Sequence, residues 1–271
     1  SLYLTLLDGI SKNEIQEELK KRNPILPSLI GYNLLQRNTI VDDIKFEIKI
    51  NSNIYSFTKF DCIVANPPWS QLDKKENIVR NEIDKLDIYR NVYNYQTSQA
   101  FLLKIDKLCH TNTDIAIIVN NSNFLNEKSK EFRIEILEKY RLKYFYELSE
   151  IADIIFKGTK HPSAVLILDK KDIKTHAIKY ISPRLSKFSK ILNIISFSSK
   201  DIREVKQENL KQEDILWKIF VNGNWKDYQL ISKIILNNSF SKEIRCQRGF
   251  EALQENKMVQ IKSPIKHSIY N

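Results

Sequence analysis

The chain has 271 residues, 42% of them hydrophobic, and carries a net charge of +10 with a pI of about 9.3. That is enough apolar material for one sizeable core and a small second unit, and the basic balance favours a polyanionic partner, nucleic acid first. No apolar stretch reaches membrane-spanning length, the three cysteines form neither a disulfide framework nor a C-x-x-C pair, and the four histidines are scattered, so the expectation is a cytoplasmic protein with no membrane segment and no metal site.

Residues 1–8 read as a helix with Leu2, Leu4, Leu6 and Leu7 as core candidates. Residues 11–22 read as a charged helix in which Ser11 is the N-cap and Glu14 completes a capping box, with Pro24 and Pro27 closing it. Ser28–Leu35 reads as a short strand and loop around Gly31-Tyr32-Asn33-Leu34. Ile44, Phe46, Ile48 and Ile50 alternate with Lys45, Glu47 and Lys49, which predicts a half-exposed strand that turns through Asn51-Ser52-Asn53 into Ile54–Phe57.

The stretch that organises the rest is Phe60–Gln71, FDCIVANPPWSQ. Phe60 and Cys62–Ala65 form an apolar run, the pattern of a strand covered on both faces. Asn66-Pro67-Pro68-Trp69 then stops it, because neither proline donates a ladder hydrogen bond and each drives the preceding residue out of the helical region. A stiff loop at the carboxyl end of a strand is where open α/β sheets place their ligands. The Asn66 side-chain carbonyl and the Pro67 carbonyl are two acceptors close enough to hold an exocyclic amine while leaving its lone pair free, and Trp69 offers a flat face to a purine.

In residues 73–95 the basic side chains, Arg80 and Arg90 among them, are nearly cancelled by acidic ones, the pattern of a solvated surface. Residues 97–109 form an amphipathic helix, 113–119 a buried strand, 129–140 a helix, 142–148 a strand and 163–168 a further strand, antiparallel to its neighbours. A loop containing Phe156, Gly158, Lys160 and Pro162 precedes that last strand. Beyond Lys170 the pattern changes to a strand at 177–181, a basic helix at 183–195 and apolar segments at 214–221 and 227–236, with Trp217 and Trp225 as core residues.

Asn66-Pro67-Pro68-Trp69 resembles motif IV, the (D/N)PP(F/Y/W) signature of the amino-methyltransferases, above all the adenine-specific DNA methyltransferases of restriction–modification systems of the type IIG kind. The resemblance implies an α/β, truncated Rossmann-like methyltransferase fold with a mixed helical carboxyl-terminal extension, and S-adenosyl-L-methionine as cofactor. It gives Asn66, Pro67, Pro68 and Trp69 the catalytic role, places Phe156 on the opposite face of a flipped adenine, and assigns Lys160 a phosphate or base contact. Gly31-Tyr32-Asn33-Leu34 is similar to motif III, with the polar residue displaced by one, which points Asn33 at the cofactor. The implied partners are double-stranded DNA and a fused or associated nuclease and target-recognition domain.

The expected organisation is a partial catalytic domain over 1–170, an extension packed on it over 171–240, and the start of a linker toward a target-recognition domain over 241–271. No two of the five glycines make a G-x-G, so the cofactor loop and the acidic ribose ligand are expected upstream of Ser1, and the isolated chain is expected to be inactive. Two alternatives stay open: a methyltransferase of RNA or of a protein glutamine, and a non-catalytic DNA-binding module that keeps a degenerate methyltransferase fold.

Overall fold

The apolar runs pair into one six-stranded mixed sheet in a computed structural model that describes residues 10–21, 34–50, 53–72, 77–156, 161–171 and 176–236. In chain order the strands are β1 (Phe46–Ile50), β2 (Asn53–Phe57), β3 (Phe60–Ala65), β4 (Cys109–Asn120), β5 (Arg141–Glu147), β6 (Ser163–Asp169), β7 (Ala177–Ile181) and β8 (Ile202–Lys206). β1 and β2 form the expected hairpin, and Phe46 and Phe57 of the hairpin meet Phe60 of β3 at centroid distances of 5.2 and 5.7 Å.

The sheet order is β3-β4-β6-β5-β7-β8. β3 runs parallel to β4 and β5 parallel to β7, while β6 is antiparallel to both β4 and β5. This is the sheet expected for a Rossmann-like methyltransferase, with its antiparallel strand at 163–169. The register brings the carboxyl ends of β3, β4, β5 and β7 to one end of the sheet: Ala65 lies opposite Ile117, Asn120 opposite Ser163, Glu147 opposite Ala164, and Tyr146 opposite Ile181.

The helices are α1 (Lys12–Lys20), α2 (Asn77–Lys85), α3 (Thr97–Lys104), α4 (Ser122–Leu125), α5 (Lys130–Lys139), α6 (Ala152–Ile155), α7 (Lys187–Leu192), α8 (Gln207–Gln212), α9 (Ile215–Asn222) and α10 (Trp225–Leu236). α1 starts on the expected capping box: Ser11 Oγ accepts from the Glu14 N–H at 3.3 Å, and Glu14 Oε2 accepts from the Ser11 N–H at 2.8 Å. The core lies where one face of the sheet, carrying Ile115, Ile117, Val119, Phe145, Leu166 and Leu168, is fully covered. Trp217 on α9 drives into that face, with its ring 5.1 Å from both Phe124 and Phe145, its indole N–H donating to the Leu210 carbonyl and its own carbonyl accepting from the Tyr180 hydroxyl.

Three expectations are corrected. β3 is not covered on both faces: Val64 is 78% exposed and Cys62 is also exposed, because β3 is an edge strand that pairs with β4 alone among the described residues. The basic helix at 183–195 contracts to α7, which Ser186 caps and Asn193 ends in the left-handed region at φ 53°. Trp225 is half-buried rather than core, its ring edge-on to Tyr228 at 5.7 Å.

Residues 1–8, 22–33, 157–160 and 241–271 lie outside the described residues, and with them the expected first helix, Asn33, Lys160 and the linker. The chain divides into two compact units, Ser1–Asn224 and Trp225–Asn271. The first holds the sheet; the described part of the second is α10, on which Leu230, Ile234 and Ile235 are exposed.

Candidate base-binding site

β3 ends at Ala65 and the chain leaves the sheet edge as Asn66-Pro67-Pro68-Trp69, with Asn66 and Pro68 exposed, Pro67 buried and Trp69 part-buried. The rings fix the backbone torsion of two successive residues, so the loop needs few outside ties to hold its shape. It receives them from Thr97, the first residue of α3. The Thr97 hydroxyl lies 2.7 Å from the carbonyls of both Pro68 and Ser70, and the Thr97 N–H donates to the Ser70 carbonyl at 3.2 Å. The Leu72 N–H closes the same loop on the Tyr95 carbonyl at 3.2 Å. The Pro68 carbonyl is thereby committed to structure, while among the described residues no donor meets the Pro67 carbonyl, next to the exposed Asn66.

Thr97 is itself held from behind. Its neighbours Ser98 and Gln99 are fully buried and belong to a polar network with Asn123 and Ser129. Gln99 Nε2 donates to Asn123 Oδ1 at 3.2 Å and to Ser129 Oγ at 3.0 Å, Asn123 Nδ2 donates to Ser98 Oγ at 2.8 Å, and Gln99 Oε1 accepts from the Tyr93 N–H at 2.7 Å. A buried network of this kind costs stability wherever one member is unsatisfied, so it specifies the position of the α3 amino end closely.

Trp69 turns inward along the end of the sheet. Its indole N–H donates to the Ile118 carbonyl of β4 at 3.4 Å, and its ring meets Phe156 at a centroid distance of 5.8 Å and an interplanar angle of 88°. Phe156 closes α6, its N–H donating to the Ala152 carbonyl at 2.8 Å. The segment leading to α6 hangs on Glu147, a buried carboxylate at the end of β5. Glu147 Oε1 accepts from Asn121 Nδ2 at 2.8 Å, from the Ser149 N–H at 3.1 Å and from the Ser149 hydroxyl. The structure therefore brings Asn66, Pro67, Pro68, Trp69 and Phe156 to one end of the sheet.

Thr97, Asn121 and Glu147 carry no motif. The available signal was positional: a polar run, Asn120-Asn121-Ser122-Asn123, directly after an apolar strand, and a lone carboxylate closing another strand. Arg80 is used locally, its guanidinium 4.0 Å over the Tyr95 ring. Tyr95 donates in turn to Asp84 at 3.0 Å, a bond that pushes its phenol above the ordinary tyrosine range.

Of Gly9, Gly31, Gly158, Gly223 and Gly249 only Gly223 is among the described residues, at the end of α9, where its carbonyl accepts from Arg203. Among the same residues no three His, Cys, Asp or Glu side chains converge, and no helix is long and apolar enough to cross a membrane.

Residues 1–154 match the model of the Eco57I restriction-modification methylase family. The chain is 33% identical over 113 residues to the type II restriction enzyme and methyltransferase RM.Eco57I of Escherichia coli, a match covering 39% of this chain and 10% of that protein. It is 26% identical over 227 residues to the type I restriction enzyme MjaVII methylase subunit of Methanocaldococcus jannaschii, covering 80% of this chain and 37% of the relative. Among solved structures, the methyltransferase subunit of a type I restriction-modification system from Streptococcus thermophilus is similar at 20% identity and a TM-score of 0.41, over 58% of this chain and 36% of that one. A modification subunit of a putative type I restriction enzyme from Vibrio vulnificus YJ016 is similar at 16% identity and a TM-score of 0.42, over 56% and 35%. The match to the family model covers more than half of the sequence, and the chain belongs to the Eco57I restriction-modification methylase family.

Proposed function

We propose that this chain carries the base-binding part of a DNA methyltransferase that acts on the N6 amine of adenine. The observation that carries the reading is the pairing of an exposed Asn66 and an uncommitted Pro67 carbonyl with two aromatic rings, Trp69 and Phe156, at the carboxyl end of β3. An adenine amine cannot be reached inside the duplex, so the base leaves the stack and enters the site. Asn66 Oδ1 and the Pro67 carbonyl accept its two amino hydrogens, which favours a pyramidal nitrogen with an available lone pair. Trp69 and Phe156 hold the ring.

S-adenosylmethionine supplies an electrophilic methyl group when bound. After transfer the cationic nitrogen passes one of the hydrogens held by Asn66 and Pro67 to solvent water, restoring a neutral amine. The catalysis is positional and electrostatic. A covalent route of the cytosine-C5 kind lacks its nucleophile among the described residues: Cys62 lies back along β3, and Cys109 is buried at the start of β4, opposite Phe60 at the far end of the sheet, with burial first and then Asp106 pushing its thiol up to about 11. Residues 241–271 lead, on this reading, toward a target-recognition domain.

The test is Asn66→Ala in the full-length polypeptide. Formation of N6-methyladenine, read by nucleoside mass spectrometry, falls by a factor of about ten to a thousand, the range for loss of one positioned polar group at a reaction centre. DNA affinity changes little, because phosphate contacts dominate it. Undiminished methylation in the variant, or a wild-type product other than N6-methyladenine, overturns the reading.

A further inference from the structure

The connection between β7 and β8, residues 182–201, emerges at the same end of the sheet as Asn66. The register requires it: β3 and β4 run parallel, β6 is antiparallel to β4 and β5, and Tyr146 near the end of β5 faces Ile181 at the end of β7, which in turn faces Ile202. Four strand spacings separate β3 from β7 in the order β3-β4-β6-β5-β7, or roughly 19 Å at the usual inter-strand distance. The connection also folds back over the sheet end, where the ring of Phe197 meets Tyr146 at 6.3 Å.

Its surface chemistry is unusual for a solvated loop. From Ser182 to Lys200 the chain carries Arg184, Lys187, Lys190 and Lys200 and no acidic residue. The first carboxylate, Asp201, is buried and occupied by Ser198, accepting from its N–H at 2.7 Å and its hydroxyl at 2.8 Å. Interleaved with the cations are large apolar side chains left in solvent: Phe188 is 73% exposed and Ile191 78%, and Leu192 and Phe197 are exposed too. Beside them opens a cavity of about 710 Å³ whose lining includes Arg184, Lys200 and Arg203, with Asp201 as its one acidic residue. Arg184 is oriented there by its bond to the Asn222 carbonyl at 2.6 Å.

Exposed apolar residues alone would suit any protein partner. Interleaved with cations, with no carboxylate from Ser182 to Lys200 and level with the base site, they suit a duplex: cations and hydroxyls for backbone phosphates, and apolar side chains for the groove between them. We propose that the β7–β8 connection is a second DNA-binding surface, which holds backbone phosphates about five to six nucleotides from the flipped base (~19 Å at about 3.4 Å per nucleotide) with Arg184, Lys187, Lys190 and Lys200 and sets Phe188 and Ile191 against the groove. The inference rests on the reading that the protein binds DNA.

The experiment compares wild-type full-length protein with Lys187→Gln/Lys190→Gln/Lys200→Gln and with Phe188→Ser, using fluorescence anisotropy of a labelled 30-bp duplex across a salt series. All four side chains are exposed, so the fold is kept, and circular dichroism checks it. In the triple variant the slope of log K against log salt falls in magnitude by about 2 to 3, and affinity at 0.1 M salt drops at least tenfold. Phe188→Ser weakens binding with the slope unchanged. If the triple variant keeps the wild-type slope while the wild type binds DNA and methylates it, this inference fails and the base-site reading stands. If instead Asn66→Ala methylates normally while the triple variant loses slope, the base site is misassigned and the second surface stands. Wild-type affinity in Phe188→Ser overturns the groove contact.

Discussion

The rings of Trp69 and Phe156 meet edge to face, 5.8 Å apart and nearly perpendicular, so each occupies space that a base would take between them. A sandwiched adenine needs the two faces parallel, so one ring must turn through about a right angle. Trp69 is tied to β4 by its bond to Ile118, and Phe156 stands at the C-cap of a four-residue helix. On the proposed reading, entry of the base also breaks an aromatic pair worth about 0.5–1.5 kcal/mol. Stacking offsets this at about 1–3 kcal/mol per base by analogy with single-strand binders. With 2-aminopurine at the target position, fluorescence from the flipped base is expected to fade in Trp69→Ala and in Phe156→Ala and to persist in Asn66→Ala. Equal flipping in all three would show that the rings do not clamp the base.

Thr97 gives a second prediction. Thr97→Val removes the hydroxyl shared by the Pro68 and Ser70 carbonyls. Stability is expected to fall by about 0.5–1.5 kcal/mol for the lost hydroxyl bond, the Ser70 carbonyl keeping the Thr97 N–H, and turnover by more than tenfold as the Asn66 loop loosens. Thr97→Ser restores both. Denaturant unfolding and single-turnover methylation separate the two effects, and a valine variant with wild-type turnover would show that the prolines hold the loop unaided.

The site was more legible in the sequence than its supports were. Asn66-Pro67-Pro68-Trp69 is a local signal, because proline acts on its own backbone and its neighbour's wherever it stands. Phe156 was legible only through the resemblance, since an aromatic residue at the end of an apolar run reads equally well as core. Thr97, Asn121 and Glu147 act across the fold, on residues brought to them by strand register, and no window of sequence contains that information. β8 shows how the alternation rule inverts: its inward residues are Arg203 and Val205, while Ile202 points to solvent. Arg203 is accommodated inside by the Gly223 and Asp201 carbonyls, each at 2.8 Å, which hydropathy cannot anticipate.

Acid sensitivity follows from Asp169 on β6. Its carboxylate is fully buried; burial pushes its pKa up, but bonds from Arg141 at 2.9 and 2.6 Å and from the Lys171 N–H at 3.1 Å, with the charges of Arg141 and Lys143, outweigh burial and hold it below the ordinary carboxylate range. A depressed folded-state pKa contributes stability that is present above the unfolded value, about 3.9, and is lost as pH falls below it. The contribution of Asp169 to the urea midpoint is expected to stay level from about pH 7 to 5 and to fall below about pH 4. Asp169→Asn should flatten that acid limb and cost about 2–3 kcal/mol at neutral pH, the scale for hydrogen bonds to charged groups. An acid limb unchanged in the variant would assign it to other carboxylates.

The two described cysteines should separate by reactivity. Cys62 is exposed on the edge strand, while Cys109 is buried, its thiol pushed up to about 11. Iodoacetamide at about pH 8 is expected to label Cys62 in the native chain and Cys109 only after denaturation, as peptide mass spectrometry would read. Native labelling of Cys109 at a comparable rate would mean that the start of β4 opens readily.

β6 lies between β4 and β5 in the sheet yet follows both in the chain. During synthesis β4 and β5 leave the ribosome as neighbours in sequence with a strand-wide gap between them, and neither can complete its ladder until Ser163–Asp169 arrives. The apolar edges of Ile115–Val119 and Leu142–Phe145 wait unpaired for that interval, which makes the chain slow to close and vulnerable to association while it waits. A gene split or recombined at the boundary of the family match, residue 154, would cut the protein before the strand that joins its two halves. Seven residues at 163–169 thus set the moment at which the nascent chain becomes a single sheet.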